Sequence, residues 1–138
     1  MKTYVLALFA FFLTFESFSQ EKTAAFKEGE WLRYKMSYSG FLRAGTAILE
    51  VEETVLNGNK VFYTKGSGWT SGLIKWFFKV EDVYESYFDK DTIKPYVFKR
   101  KIDEGGYKKH RITNFDYKAN KAYVQDFLKQ KDTTIPFS

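Results

Sequence analysis

The chain has 138 residues, 22 Lys and Arg against 17 Asp and Glu, no cysteine and a single histidine, His110. That length suits one domain with a moderate core. The lack of cysteine excludes disulfides, thiol catalysis, Cys-based zinc sites and a Cys-anchored lipoprotein, and a lone histidine excludes multi-His metal centres. The net charge of +5 is a mild excess; it suits weak attraction to anionic headgroups or acidic polysaccharide and comes with no nucleic-acid motif, so no nucleic-acid partner is expected.

The chain opens with Lys2 and an apolar run over residues 4–15 (YVLALFAFFLTF), after which Ser17 and Ser19 flank Phe18. Small residues at those two places before a cut at Gln20 complete the layout of a secretory signal peptide, residues 1–19. The run is shorter than the roughly 20 residues that span a bilayer. The expectation is an exported protein, periplasmic or cell-envelope associated after cleavage, with no transmembrane anchor and a mature chain of residues 20–138.

After a polar leader at 21–28, the pattern is that of strands. Residues 30–39 alternate Leu32, Tyr34, Met36 and Tyr38 with Arg33, Lys35 and Ser37, which makes one face apolar and the other wet. Gly40 ends that run. Residues 44–55 form a second strand, with Ala47, Leu49 and Val51 on one side and Thr46, Glu50 and Glu52 on the other. Asn57-Gly58 is a type I′ hairpin signal, and a two-residue loop there sets Glu50 opposite Lys65. The third strand, 60–68, ends in Gly66 and Gly68. Next comes the one candidate helix, with Ser71 as its cap and Leu73, Trp76, Phe77 and Val80 at helical spacing.

A fourth strand spans 79–88, and a fifth spans 96–103 after Pro95. Gly105-Gly106 turns the chain into a sixth at 107–115, and Asn120 precedes a seventh at 122–129. The fold class is therefore all-β. It is a strongly curved antiparallel meander forming an open or partial β-barrel, with one short helix after the third strand. About seven strands leave two free edges, and residues 133–138 still carry Ile135 and Phe137. The domain is thus expected to be the N-terminal part of a longer one.

The order of several motifs is similar to that of a known family. They are Phe26-Lys-Glu-Gly29-Glu30-Trp-Leu32-Arg-Tyr34, Tyr38-Ser-Gly40-Phe-Leu-Arg-Ala44-Gly45-Thr-Ala47, Phe78-Lys-Val80-Glu-Asp82-Val-Tyr84-Glu-Ser86, Asp89 and Pro95-Tyr-Val-Phe98. The pattern resembles an uncharacterised family of exported bacterial β-proteins, the domain of unknown function thirty-one-zero-eight, in the form common in Bacteroidetes. The resemblance covers nearly all of the mature chain. It implies a curved antiparallel sheet or open barrel whose C-terminal half lies past residue 138. It brings no established activity and no catalytic residue.

No catalytic motif and no cofactor signature emerges. His110, between Lys109 and Arg111, has no carboxylate or nucleophile assigned to it and reads as a solvated strand residue. Glu81 and Asp82 are neighbours on a strand and point to opposite faces, so they share no site. Asp82 reads as an acceptor of backbone donors, and Asp89 as the start of a turn. Pairing across Gly105-Gly106 sets Asp103 opposite Lys108 and Arg100 opposite Arg111. Ile102, Lys109, Phe98, Tyr96 and Phe115 fall on the face of the arginines, giving that hairpin a basic tip, a candidate anion site, and an aromatic base.

The chain carries 15 Phe, 10 Tyr and 3 Trp, and Trp69, Trp76, Phe77 and Phe78 crowd around the helix. They read as a core plug or as a lid over an apolar cavity. An outer-membrane barrel is disfavoured, because strand six (YKKHRITNF) carries cations on both faces.

Two functions follow. One is an envelope carrier or sensor holding a lipid or other apolar ligand in a half-open barrel, with Trp69, Trp76, Phe77, Arg100 and Arg111 as ligand-binding residues. The other is a non-enzymatic envelope scaffold that docks a partner. An enzyme is a distant third.

Overall fold

The computed structural model describes residues 26–38, 40 and 42–138. The expected signal peptide lies outside these residues. Eight strands follow one another: β1 (Trp31–Tyr38), β2 (Leu42–Leu56), β3 (Asn59–Thr70), β4 (Val80–Asp89), β5 (Pro95–Glu104), β6 (Tyr107–Asp116), β7 (Lys121–Asp126) and β8 (Lys131–Pro136). One helical turn, α1 (Ile74–Phe77), joins β3 to β4. Every strand pairs antiparallel with its neighbour in chain order. β1 and β8 are therefore the edges, and the sheet is open. The all-β meander with a short helix after the third strand is the architecture that the alternation and turn chemistry predict.

The register is also as expected at both predicted hairpins. Asn57 and Gly58 take φ of 51° and 84°, the two positive values a type I′ turn needs, and Glu50 pairs with Lys65. Across Gly105-Gly106, Asp103 pairs with Lys108, Ile102 with Lys109 and Arg100 with Arg111. Asp103 and Lys108 form an ion pair at 3.2 Å.

The strand count differs from the expectation. The predicted seventh strand, 122–129, stops at Asp126, turns over residues 127–130 and returns as β8. No Gly, Pro or Asn marks that turn, so the sequence pattern runs through it. The turn is nevertheless built like two others. Asp89, Asp116 and Asp126 each end a strand, and each lends Oδ1 to backbone N–H groups two or three residues on. Four residues after each Asp, the chain adopts positive φ: Ile93 at 59°, Asn120 at 51° and Gln130 at 48°. Only Asn120 is a residue type that favours this region.

Ile93 is β-branched and exposed, so it carries backbone strain with little packing in return. Ile93→Asn is expected to raise stability by about 1 kcal/mol. A thermal melt checks it; a lowered melting temperature would mean that the Ile93 side chain packs more than its exposure suggests.

Three local expectations are corrected. Ser71 does not cap the helix: Leu73 holds the N-cap position without any side-chain bond. Ser71 Oγ is instead buried with no partner among the described residues. Tyr96 is the extra residue of a β-bulge, since Tyr87 pairs with Val97 and Phe88 with Pro95. A bulge re-aims one side chain, and the Tyr96 hydroxyl bonds Asp89 Oδ2 at 3.2 Å. The segment read as a polar leader, 21–28, contains Phe26, whose ring packs edge-on against Phe62 and Phe88 with centroids at 5.4 and 5.6 Å.

That aromatic trio is one centre of the core; among the described residues Ile102 and Ala122 are also deeply buried, and Val61, next to Phe62 on β3 and so on the opposite face, is 1% exposed. Alternation gives the sheet an apolar face carrying Leu32, Leu49, Phe62, Phe98, Ile102 and Ile135. The other face carries Glu50, Lys65, Glu85 and Lys99, which follow one another across the register.

Candidate functional site

One row of paired residues crosses the apolar face from edge to edge: Leu32, Leu49, Gly66, Tyr84, Arg100, Arg111, Asp126 and Lys131. It is apolar over β1–β4 and charged over β5–β8. A cleft of about 440 Å³ lies over the first part, lined by Leu32, Leu49, Val51, Gly66, Tyr84 and Phe98. A second, about 510 Å³, lies over the other part, lined by Phe98, Arg100, Arg111, Phe115, Val124 and Ile135 among others. Side chains from five consecutive strands reach the first cleft, which requires the sheet to curl around it. Both volumes fall in the usual range of small-molecule sites, about 300–1,000 Å³. Gly66 leaves the floor low beside Tyr84, and the Tyr84 and Phe98 rings lie nearly parallel, 6.4 Å apart.

The two arginines are directly opposite one another, an unfavourable pairing unless something neutralises it. Asp126 does so for Arg111, whose Nε donates to Asp126 Oδ2 at 2.7 Å. The other carboxylate oxygen of Asp126 accepts the Lys129 N–H at 3.1 Å, so this one side chain both fixes Arg111 and builds the β7–β8 turn. Among the described residues, no ion pair holds Arg100. Its positive charge acts on Tyr84 and Glu104. The Glu104 carboxyl is held above the ordinary Glu range, first by a hydrogen bond shared with Asp82 and then by the charge of Asp82. Asp82 also accepts the Asp103 N–H at 3.2 Å, the backbone-bonding role expected of it.

Asp126 is 5% exposed, and the Arg111 guanidinium holds its carboxyl below the usual Asp range. Such a group stabilises the fold above the unfolded-state value, about pH 4, and that contribution fades as pH falls through the lower folded-state value. Asp126→Asn is expected to lower the melting temperature at pH 7 and to matter much less near pH 3. Melting curves across that range check it; an equal deficit at both ends would sink it.

The predicted site residues fall in three places. Arg100 and Arg111 sit together in the second cleft. Trp69 lines a third cleft of about 540 Å³ towards the end of the sheet, with Asp82, Ile102, Lys109, His110 and Leu128. Trp76 and Phe77 stand 87% and 86% exposed and line none of these clefts. His110 is not a simple solvated residue: its ring stacks on Phe127 at 4.6 Å. Among the described residues no cluster of three or more His, Cys, Asp or Glu is placed to hold a metal ion.

Leu49, Tyr84 and Asp126 were not singled out from sequence. Leu49 and Tyr84 carried an alternation signal, but only the register puts them in one row with the arginines. Asp126 had no signal beyond its place before an unmarked turn.

The comparisons with known proteins fit this arrangement. A family model described as Protein of unknown function (DUF3108) matches residues 33–138. The chain belongs to this family. The matched span takes in β1 from Arg33 and every later strand, so α1, the second and third clefts and every residue of the row except Leu32 fall within the DUF3108 domain. No curated protein and no solved structure matches the chain. No helix among the described residues of this DUF3108 domain is long and apolar enough to cross a membrane.

Proposed function

We propose that this DUF3108 protein is an exported cell-envelope protein that holds a lipid or similar apolar ligand against the apolar face of its open sheet. The observation that carries the reading is the pair of clefts along the edge-to-edge row. They are walled by Leu32, Leu49, Phe98, Phe115 and Ile135 and end on the Arg100–Arg111 pair. An apolar cleft with a few convergent polar groups is the usual form of a small-molecule site. The ligand tail would take the aliphatic and aromatic wall, and a polar end would take Arg100.

Titration with a fluorescent acyl probe tests the reading. Leu49 lies in the first cleft and is exposed, so Leu49→Lys should leave the fold intact and weaken the probe at least about tenfold. A wild-type protein that binds no acyl probe and carries no lipid in native mass spectrometry would overturn the proposal.

A second reading rests on the edges. All eight residues of β1 and all six of β8 are exposed, and an unpaired edge accepts an added strand. An envelope scaffold would dock its partner there. Cross-linking from Ser37 and Thr134 in the native envelope distinguishes it: capture of one protein at an edge, without lipid on the apolar face, would favour the scaffold.

A further inference from the structure

We propose that one rim of the sheet docks the protein on an anionic membrane surface, with Trp76 and Phe77 inserted at the headgroup level. In an up-and-down sheet alternate connections fall at the same end. The end of β1, the β3–β4 connection with α1, the Gly105-Gly106 turn and residues 127–130 therefore share one rim. Exposed large apolar side chains concentrate there, including Leu73, Trp76, Phe77 and Phe78 in the β3–β4 connection. Tyr38, Tyr107, Phe127 and Leu128 join them, whereas the opposite end holds Trp31, Leu32, Val55, Ile93 and Ile135. An exposed apolar group of that size marks an interaction surface.

The rim is also held in shape. The Gly105 N–H donates to the Lys79 carbonyl at 2.8 Å. The Phe78 ring lies over Gly105 so closely that a Cβ there would meet it at 2.3 Å. α1 has no buried residue and is nonetheless tied to the neighbouring hairpin.

The charge at this rim says what covers it. Connections 71–79 and 127–130 contain Lys75, Lys79 and Lys129 and no carboxylate, and Lys108 and Lys109 flank the glycine turn. Of the nearby acids, Glu81 is held by Lys79 at 2.8 Å and by Lys75 at 3.8 Å, Asp103 by Lys108 and Asp126 by Arg111, while Glu104, the residue before Gly105, has no ion pair among the described residues. An apolar knob fringed by lysine stems matches an anionic bilayer surface. Aromatic rings settle at the boundary between headgroups and chains, and ammonium groups reach the phosphates. The rim is separate from the clefts of the apolar face, so this inference stands without them.

Co-sedimentation with phosphatidylglycerol–phosphatidylcholine vesicles tests it on the whole protein. The wild type should partition onto these vesicles and bind pure phosphatidylcholine vesicles more weakly. The double variant Trp76→Ser, Phe77→Ser should lose at least about tenfold in partitioning and keep the wild-type melting temperature. Lys129→Glu, a change far smaller in shape, should weaken binding to the anionic vesicles and leave the neutral ones unaffected. Equal partitioning of wild type and double variant would overturn the proposal, as would no wild-type binding. So would lipid-free self-association that the double variant abolishes, because the rim would then be an interface between two copies of the chain.

Discussion

Phe62→Ala should come close to unfolding the domain. Phe62 is 6% exposed and sits between Phe26 and Phe88, with centroids at 5.4 and 5.9 Å. It joins β3 to β4 through the pair with Phe88 and ties the segment before β1 to both. Lys90, which pairs with Glu53, stands over its ring at 5.0 Å. Truncating a buried Phe to Ala costs about 3–5 kcal/mol, transfer and cavity together, against a total stability of about 5–15 kcal/mol for a typical domain. At about 4–8 °C for each kcal/mol in a small domain, the melting temperature should fall by more than 10 °C. Phe62→Leu, which keeps much of the volume, should recover most of the loss. A melt within 3 °C of the wild type for Phe62→Ala would mean that the trio is not the anchor described.

Gly45→Ala should be the most damaging single-methyl change in the sheet. Gly45 lies beside the bulge at the start of β2 and pairs with Met36 on one side and Thr70 on the other. A Cβ there would sit 2.6 Å from the Trp69 carbonyl oxygen and 3.0 Å from Met36 Cε. The Met36 side chain is free to move, but the carbonyl belongs to the β3 backbone, so relief requires β2 and β3 to separate locally. Overpacking of this kind costs about 1–3 kcal/mol.

Gly68→Ala is the control. Its Cβ would meet nothing within 4 Å, and Ala in a strand interior is favoured over Gly by about 0.5–1 kcal/mol. The two variants should therefore move the melting temperature in opposite directions. Equal shifts would show that strand propensity, and not the close approach of β2 to β3, sets the cost at Gly45.

Much of the fold was legible because a strand repeats every two residues and each turn is chosen by a few residues. Leu32, Tyr34 and Met36 gave β1 its face, and Asn57-Gly58 and Gly105-Gly106 gave two registers that the structure repeats pair by pair. β8 was missed because its turn uses Gln130 at positive φ, a residue that carries no turn signal. The clue available was Asp126 followed by Phe127, the spacing already seen at Asp116 and Tyr117. Tyr96 was assigned to the arginine face because alternation cannot register an inserted residue; the bulge exists only in the pairing of β4 with β5.

The candidate site was legible in pieces. Arg100 and Arg111 could be placed opposite one another from a single local turn. Asp126, the partner of Arg111, could not, because it arrives through another hairpin with a different loop.

By itself, the sequence determined an all-β up-and-down chain with one apolar face, a short aromatic helix after the third strand and two arginines facing one another. These are local properties, set by alternation and by the φ that Gly and Asn allow. The tertiary structure alone decided that Asp126 neutralises Arg111 while no ion pair among the described residues holds Arg100, and that Trp76 and Phe77 face solvent on a rim rather than a cleft. Each of those depends on the summed register and curl of eight strands, where one extra residue in a bulge or turn changes which side chains meet.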